Sequence, residues 1–218
     1  ILDKIQAMPA NYNAWNLAFA SALACCAFTF LLGGGITEMI LAFFGAGAGQ
    51  FVRKKLIERH ITLLANVACA VATSCCTYVL LIKLAEYFFG ISDVHQSGYI
   101  CSMLFVIPGF PLITGGIDLA KLDLRSGLER VTYAVLIILT ATLTGWLTAY
   151  TFRFSPSDFP ELYIDPVIKL VFRMITSFCG VYGFSFLFNS KRKMALTAGL
   201  IGMIANTLRL ELTEFTTI

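Results

Sequence analysis

Seven long apolar segments dominate this chain, and each is close to the length of helix that crosses a bilayer. They cover residues 14–32, 36–52, 61–82, 99–116, 131–151, 166–188 and 194–210. A helix needs about 20 apolar residues to cross roughly 30 Å of hydrocarbon. The composition agrees, since 58% of the residues are hydrophobic and 13% are charged, against roughly 45–50% and 25% in soluble domains. The sequence therefore predicts an all-α, polytopic transmembrane helix bundle with about seven spans.

One of these segments carries residues that break helices. It begins as an apolar run and then contains Pro108, Gly109 and Pro111, followed by two more glycines and Asp118. A freed N–H or C=O group is costly in hydrocarbon, so a broken membrane helix survives only where it lines protein or a watery cavity. Secondary transporters use such breaks to bind their solutes. We therefore predict one Pro/Gly-broken helix; the alternative is a kinked helix whose Asp118 already lies in the water of the next loop.

The distribution of basic residues predicts an orientation. If the N-terminus is cytoplasmic and the spans alternate, most of the sixteen lysines and arginines fall on cytoplasmic segments, as they do in multi-pass proteins. These residues are Lys4, Arg53, Lys54, Lys55, Arg59, Lys121, Arg125, Arg130, Lys191, Arg192 and Lys193. The sequence predicts a multi-pass protein of the cell (inner or plasma) membrane, in contact with lipid. A net charge of +3 does not indicate a nucleic-acid partner.

A weak internal repeat is also present. Residues 30–53 align without a gap to residues 186–209, an offset of 156, and the match includes Gly33 with Asn189. Chance similarity is the alternative. The two segments start five spans apart, so one would be inverted relative to the other, as in many secondary transporters. We predict a first five-helix unit over residues 1–160 and the start of a second unit over 161–218. On this interpretation the chain is trimmed at both ends.

Several motifs resemble the threonine/serine exporter family. They are Pro108-Gly109-x-Pro111-Leu112, Asp118-Leu119, Gly127-x-x-Arg130 and, at the start of a second half, Phe188-Asn189-x-x-Arg192. The resemblance implies a secondary transporter that exports threonine and serine by proton antiport, with relatives that export dicarboxylates such as succinate. It implies about ten spans, so a partner would be a second transmembrane half or a second copy. Two positions depart from the family: Thr114, where it often has Asn, and Leu122, where it tends to have Gly.

Two carboxylates are candidates for proton coupling. The role requires a group that is ionised in one state and neutral in another, and burial raises a carboxylate's pKa while a nearby cation lowers it. Asp118 follows the break, inside the family-like Asp-Leu motif. Glu38, early in the second apolar segment, is the other candidate, although an interfacial position would also explain it. Asp123, Glu129 and the basic residues around them are interpreted as solvated loop charges.

Six residues are candidates for substrate binding. Pro108, Gly109, Pro111 and Thr114 belong to the broken segment, where opened backbone would face the solute. Lys169 and Arg173 are four residues apart and so share one helical face. Charges inside spans are functional candidates, and these two would attract a carboxylate. The alternative for Lys169 is that it reaches out to interfacial water.

The remaining patterns argue against an enzyme. The seven cysteines fall within predicted spans without a Cys-x-x-Cys pair, and both histidines lie in loops. We predict no metal site and no cofactor. The alternating glycines Gly45, Gly47 and Gly49 predict close helix packing rather than a nucleotide loop. A channel or a purely structural membrane subunit remains an alternative to a carrier.

Overall fold

The structure is a computed structural model that describes residues 11–90, 97–154 and 164–216. Within these ranges it consists of helices and contains no strand, which confirms the all-α prediction. The α-helices are α1 (Ala14–Leu31), α2 (Ile36–Glu58), α3 (Leu63–Phe89), α4 (Ser97–Ser102), α5 (Gly109–Ala120), α6 (Leu124–Thr151), α7 (Pro166–Leu187) and α8 (Arg192–Thr216), and a short 3-10 helix, Leu104–Val106, follows α4.

Five of these helices are long and apolar enough to cross a membrane, namely α1, α3, α6, α7 and α8. A sixth span is obtained if the bent pair Ser97–Val106 and Gly109–Ala120 is counted as one. The described residues therefore hold five or six candidate spans, and the predicted number of about seven is not confirmed. The difference is α2, which continues past the predicted end at residue 52 and includes Arg53, Lys54 and Lys55. Because α2 packs between α1 and α3, it does not need large apolar side chains on all sides.

Small residues let α2 approach its neighbours closely. A Cβ atom added to Gly45 would lie 3.1 Å from the backbone oxygen of Ser74, and one added to Gly49 would lie 2.8 Å from that of Ala70. Both oxygens belong to α3. Gly47 faces α1 instead, where its added Cβ would lie 3.4 Å from that of Ala22. The structure thus gives the three glycines the packing role that the sequence predicts.

The bundle has an apolar exterior and a core that includes polar groups. Phe19, Leu143, Trp146 and Ile201 are each more than 60% exposed, which suits contact with lipid tails. The buried residues include polar and charged ones: Ser21, Thr29, Glu38, Gln50, Asn66, Ser74, Ser97 and Ser102. In hydrocarbon, polar groups are favoured inside the protein, where other protein groups can pair with them. This distribution is that of a membrane bundle.

The hairpin of α7 and α8 packs on α1. The rings of Phe28 and Phe184 have centroids 5.3 Å apart, and a Cβ atom on Gly183 would lie 2.5 Å from the backbone oxygen of Ala20. The helix ends follow the offset of 156: α1 and α7 end at Leu31 and Leu187, and α2 and α8 begin at Ile36 and Arg192. The predicted boundary between residues 160 and 161 lies outside the described residues.

Candidate functional site

The predicted break is present. After the 3-10 helix, the chain turns through 65° and α5 begins at Gly109. Pro108 is the N-cap of α5, and Pro111 lies in the first turn of that helix. The backbone N–H groups in the first turn of a helix have no acceptor within the helix. Neither proline therefore removes a helical hydrogen bond.

The backbone groups opened by the break find partners within the protein. The carbonyl oxygen of Phe105 accepts a hydrogen bond from Nη1 of Arg53, at 3.0 Å. The N–H of Gly109 donates to the carbonyl of Ile107, at 2.9 Å. The sequence analysis treated Arg53 only as a cytoplasmic charge and missed this contact, because sequence spacing does not pair a residue of α2 with a carbonyl 52 positions later.

A tight turn lays α5 against α6. Leu122 adopts a left-handed conformation, with φ 63°. The N–H of Asp123 donates to the carbonyl of Asp118, and the N–H of Leu122 donates to that of Leu119, both at 3.0 Å. This pair of bonds is a Schellman motif, whose left-handed position is usually glycine. Leu122, one of the two positions at which the sequence analysis expects a departure from the family, thus has a backbone conformation that favours glycine.

Close packing of α5 and α6 brings the two family-like motifs together. A Cβ atom on Gly127 would lie 2.7 Å from side-chain atoms of Leu119, and one on Gly115 would lie 3.2 Å from Cβ of Arg130. This approach places Nε of Arg130 3.3 Å from Oδ2 of Asp118. Both residues of the Asp-Leu motif of α5 therefore contact the Gly-x-x-Arg motif of α6. Asp118 lies beside Arg130, and Leu119 lies beside Gly127.

The Asp118–Arg130 pair is only partly shielded and incompletely bonded. The side chains of Asp118 and Arg130 are 23% and 48% exposed. Oδ2 of Asp118 is itself buried and has no hydrogen-bond donor among the residues that the structure describes, so its contact with Arg130 is an ion pair without hydrogen-bond geometry. A carboxylate oxygen in such a position keeps its capacity to accept hydrogen bonds.

A groove of about 410 Å³ lies beside this pair. Its lining consists of Phe110, Pro111, Thr114, Glu129, Arg130 and Tyr133. The Thr114 hydroxyl donates to the carbonyl of Phe110, at 2.9 Å, which leaves its oxygen as an acceptor. Of the predicted substrate-binding residues, Pro111 and Thr114 line the groove, Gly109 begins the same helix, and Pro108 is buried at the break. The volume lies within the range of small-molecule sites.

Glu38 lies in a different part of the bundle from Asp118. It is 1% exposed, so it is buried within the protein, in the first turn of α2. It accepts hydrogen bonds from the N–H of Gly35, at 3.1 Å, and from the hydroxyl of Ser97. These contacts join the start of α2 to the start of α4, whereas Asp118 lies between α5 and α6.

Lys169 and Arg173, the two cations of α7 that are predicted to bind a substrate carboxylate, contact acidic residues of α8. Nη1 of Arg173 lies 2.6 Å from Oε1 of Glu211 and 2.6 Å from Oε2 of Glu214. Nζ of Lys169 lies 2.8 Å from Oε1 of Glu214. The structure therefore places these cations in an interhelical ion-pair network, away from the groove between α5 and α6. Across the described ranges, no three His, Cys, Asp or Glu side chains are placed to hold a metal ion.

Helices long enough to cross a bilayer, an apolar exterior and a broken helix beside a charged groove define a multi-pass membrane protein of the transporter class. The chain belongs to the ThrE family of threonine/serine exporters, whose family model matches residues 1–153. The match ends before α7, so it covers the break, the Asp118–Arg130 pair and the groove. It confirms the resemblance described above.

Two curated relatives match part of the chain. "Probable succinate transporter subunit YjjP" of Escherichia coli (strain K12) is 30% identical over 146 residues, which are 67% of this chain and 55% of the relative. The protein of the same name from Klebsiella aerogenes is 28% identical over the same shares of both chains. The matched region thus spans about half the length of these relatives. No solved structure matches the chain.

Proposed function

We propose that this chain is part of a secondary active transporter that exports threonine and serine across the cell membrane by proton antiport. Family membership supports transport rather than catalysis. The observation that carries the proposal is the Asp118–Arg130 ion pair beside a groove at the broken helix. A proton-driven carrier needs a titratable group next to the solute, and this arrangement provides one.

The proposed roles follow from position. Gly109, Pro111 and Thr114 contact the solute from α5, and Pro108 fixes the start of that helix. Asp118 carries the coupled proton because it forms an ion pair with Arg130, the cation that lines the groove. Glu38 is the second candidate for the proton, and Lys169 and Arg173 are candidates for a second carboxylate site between α7 and α8.

The proposed orientation places the N-terminus in the cytoplasm. The start of α1 lies beside the end of α2, where the rings of Trp15 and Phe51 are 4.6 Å apart. It also lies beside the turn between α7 and α8, where the N–H of Asn11 donates to Asn189. The basic clusters at residues 53–59 and 191–193 therefore share one end of the bundle. Cytoplasmic ends of membrane proteins are rich in Lys and Arg, which supports this orientation.

The second unit is also a proposal. The ends of α1 and α7, and the starts of α2 and α8, are related by the offset of 156. This agreement supports α7 and α8 as the first two helices of an inverted second unit. The relatives are named as transporter subunits, which is compatible with a partner that supplies further helices.

Succinate is the second candidate substrate, because the two curated relatives are named as succinate transporter subunits. A channel would share the groove but would not show counterflow. The test is transport by the full-length protein, with any partner subunit, in liposomes. We expect preloaded threonine or serine to drive counterflow of the labelled amino acid. Counterflow of succinate alone would favour the second candidate, and leakage without counterflow would contradict a carrier.

Proton coupling is tested by Asp118→Asn, which keeps the size of the side chain but cannot titrate. We expect an imposed pH gradient to accelerate efflux by the wild type but not by this variant, while exchange at equal pH persists at saturating substrate. Glu58→Gln, which removes an exposed carboxylate of α2, is the control and should keep the response. An unchanged response in Asp118→Asn would move the coupling role elsewhere, with Glu38 next.

A further inference from the structure

A second groove, of about 350 Å³, lies between α1 and α7 and is called the α1–α7 groove. Its wall on α1 consists of Asn16, Phe19, Ala20 and Leu23. Their spacing places these four side chains on one face of the helix. From the start of α1 at Ala14 to Leu23, the helix rises about 14 Å at 1.5 Å per residue. This length is close to one leaflet of a hydrocarbon core that is about 30 Å thick.

The opposite wall of the α1–α7 groove is mainly aromatic. It consists of Tyr182, Gly183 and Phe186 of α7, and the rings of Tyr182 and Phe186 have centroids 4.9 Å apart. A Cβ atom on Gly183 would lie 2.5 Å from the backbone oxygen of Ala20, so the two helices touch along the groove. Phe19, on the α1 side, is 63% exposed. The groove is therefore a shallow apolar channel between two packed helices, and its shape suits a thin apolar chain.

A cation lies at the end of this groove where α1 and α8 begin. Arg192 lines the groove, is the first residue of α8 and is exposed. In the part of the chain that the structure describes, Arg192 forms no ion pair with a carboxylate. The described lining contains no Asp or Glu, and the first turn of α8 contains no acidic residue. The positive end of the helix dipole also favours an anion there.

A neighbouring recess adds positive charge at the same end of the bundle. It shares Tyr12 with the α1–α7 groove, and Lys54, Lys55 and Glu58 contribute to its lining. Glu58 pairs with Lys55, at 3.0 Å, so the recess has the charge of one lysine in excess. Lys and Arg clusters beside a membrane attract anionic lipids by about 1 kcal/mol per residue. The charge around the groove therefore complements an anionic headgroup.

A turn that the proposed transport function does not use holds Arg192 in place. The N–H of Asn11 donates to Oδ1 of Asn189, at 3.0 Å, and the hydroxyl of Tyr12 donates to the carbonyl of Ser190, at 2.7 Å. Both contacts tie the turn between α7 and α8 to the start of α1. The Asn189-x-x-Arg192 part of the motif found by the sequence analysis thus fixes Arg192 at the mouth of the groove.

We propose that the α1–α7 groove binds one anionic phospholipid, with its phosphate on Arg192 and one acyl chain between the two helices. Guanidinium groups bind phosphate through charge-assisted, often bidentate hydrogen bonds. A free phosphate would leave the apolar length of the groove unused. A helix of a partner would cover Arg192, and a covered cation without a counter-charge is costly in a membrane. The site goes beyond the proposed function and does not depend on the transported solute.

The test is the quenching of a single tryptophan by phospholipids that are brominated on their acyl chains. The full-length protein, with any partner subunit, is reconstituted with Trp15, Trp146 and any further tryptophan replaced by phenylalanine. Phe19→Trp then serves as the probe, because Phe19 lines the groove and is exposed. In mixed vesicles, we expect the probe to select brominated phosphatidylglycerol over brominated phosphatidylcholine about fivefold. This preference corresponds to about 1 kcal/mol, the contribution of one basic residue at a membrane surface.

Two controls show whether the preference belongs to the groove. Trp146, retained alone in the same background, lies on α6 and is 64% exposed, and it should be quenched equally by both lipids. Arg192→Gln should abolish the preference at the Phe19→Trp probe, whereas Arg192→Lys should keep most of it. Lys193→Gln is the matched control, because Lys193 is the next residue, is exposed and does not line the groove. Unchanged quenching of the probe by phosphatidylcholine in Arg192→Gln would show that the fold is intact.

The other outcomes would overturn the site. Equal quenching of the Phe19→Trp probe by the two brominated lipids would mean ordinary contact with the surrounding lipid. Absence of quenching by either lipid would mean that protein covers the groove. A preference that survives in Arg192→Gln would remove the phosphate from Arg192, and loss of the preference on addition of inorganic phosphate at constant ionic strength would indicate a site for a free anion. None of these results bears on the proposed transport function, which is tested by counterflow.

Discussion

Gly33 and Asn189 have left-handed backbones at the ends of α1 and α7, with φ values of 89° and 58°. The residue after each one closes the same turn: the N–H of Gly34 donates to the carbonyl of Thr29, at 2.8 Å, and that of Ser190 donates to Ser185, at 3.1 Å. Asn189, Ser190 and Ser185 follow Gly33, Gly34 and Thr29, respectively, by 156 residues. Glycine and asparagine are the residues that adopt this conformation most readily.

A serine and a side-chain amide also recur at the offset of 156 residues. Nδ2 of Asn206 donates to Oγ of Ser177, at 2.8 Å, between α8 and α7. The equivalent residues of α2 and α1 are Gln50 and Ser21, which are 7% and 0% exposed. Both pairs combine a serine with a side-chain amide inside a helix hairpin. The residue types are thus similar at these positions, whereas the hydrogen bond is present only between Asn206 and Ser177 in the described residues.

The first prediction concerns the contact between the two proposed units. Phe28 and Phe184 occupy equivalent positions and pack against each other, with ring centroids 5.3 Å apart. In a cysteine-free background, Phe28→Cys with Phe184→Cys should cross-link readily with a short bifunctional thiol reagent, as seen by gel mobility after cleavage between the two helices. The pair Phe28→Cys with Ile175→Cys is the control, because Ile175 is 54% exposed on α7. Equal cross-linking of both pairs would contradict this packing.

Local features of the fold were predictable from sequence, and contacts between distant residues were not. Prolines and glycines have strong local backbone preferences, so Pro108, Gly109 and Pro111 predicted the break. The roles of Arg53 and Arg130 were missed, because both sit among other basic residues and were interpreted as charges that set the orientation. The burial of Glu38 was not predicted, because one of its partners, Ser97, lies 59 residues further along the chain.

The predicted number of about seven spans is not confirmed, and α2 is the helix that makes the difference. Hydropathy averages over a segment and does not report whether its neighbours are lipid or protein. The segment that forms α2 is flanked by α1 and α3, so its glycines and polar residues face protein. Only the tertiary packing distinguishes such a helix from one that faces lipid.

The second prediction concerns the left-handed residue between α5 and α6. The left-handed conformation costs a non-glycine residue about 1–2 kcal/mol of free energy. The Leu122 side chain is 82% exposed, so its packing offsets little of this cost. Leu122→Gly should therefore raise the free energy of unfolding by about 1 kcal/mol, after the entropic cost of glycine is included. Thermal unfolding in detergent would measure it. Ala120→Gly, inside the last turn of α5, should instead destabilise by up to about 1 kcal/mol.

The third prediction concerns the cation that binds the opened backbone. Arg53→Met leaves the carbonyl of Phe105 without its donor, in a residue that is 3% exposed. An unsatisfied buried acceptor costs about 1–3 kcal/mol, so unfolding should become easier by that amount and transport should fall. Arg59→Met is the control from the same basic cluster. Equal stability of the two variants would show that the Arg53 contact is dispensable.

The last prediction separates a structural role of Arg173 from a role in substrate binding. Arg173 is 14% exposed and contacts Glu211 and Glu214, which are 43% and 47% exposed. Because the partners are partly solvated, the pair with Glu211 should stabilise the α7–α8 hairpin by about 1 kcal/mol. In a double-mutant cycle, Arg173→Gln and Glu211→Gln should each destabilise, and the double variant should lose less than their sum. The half-saturating concentration of threonine should not change in any of the three variants. A large increase confined to Arg173→Gln, with Glu211→Gln unchanged, would instead identify Arg173 as a ligand of the substrate carboxylate.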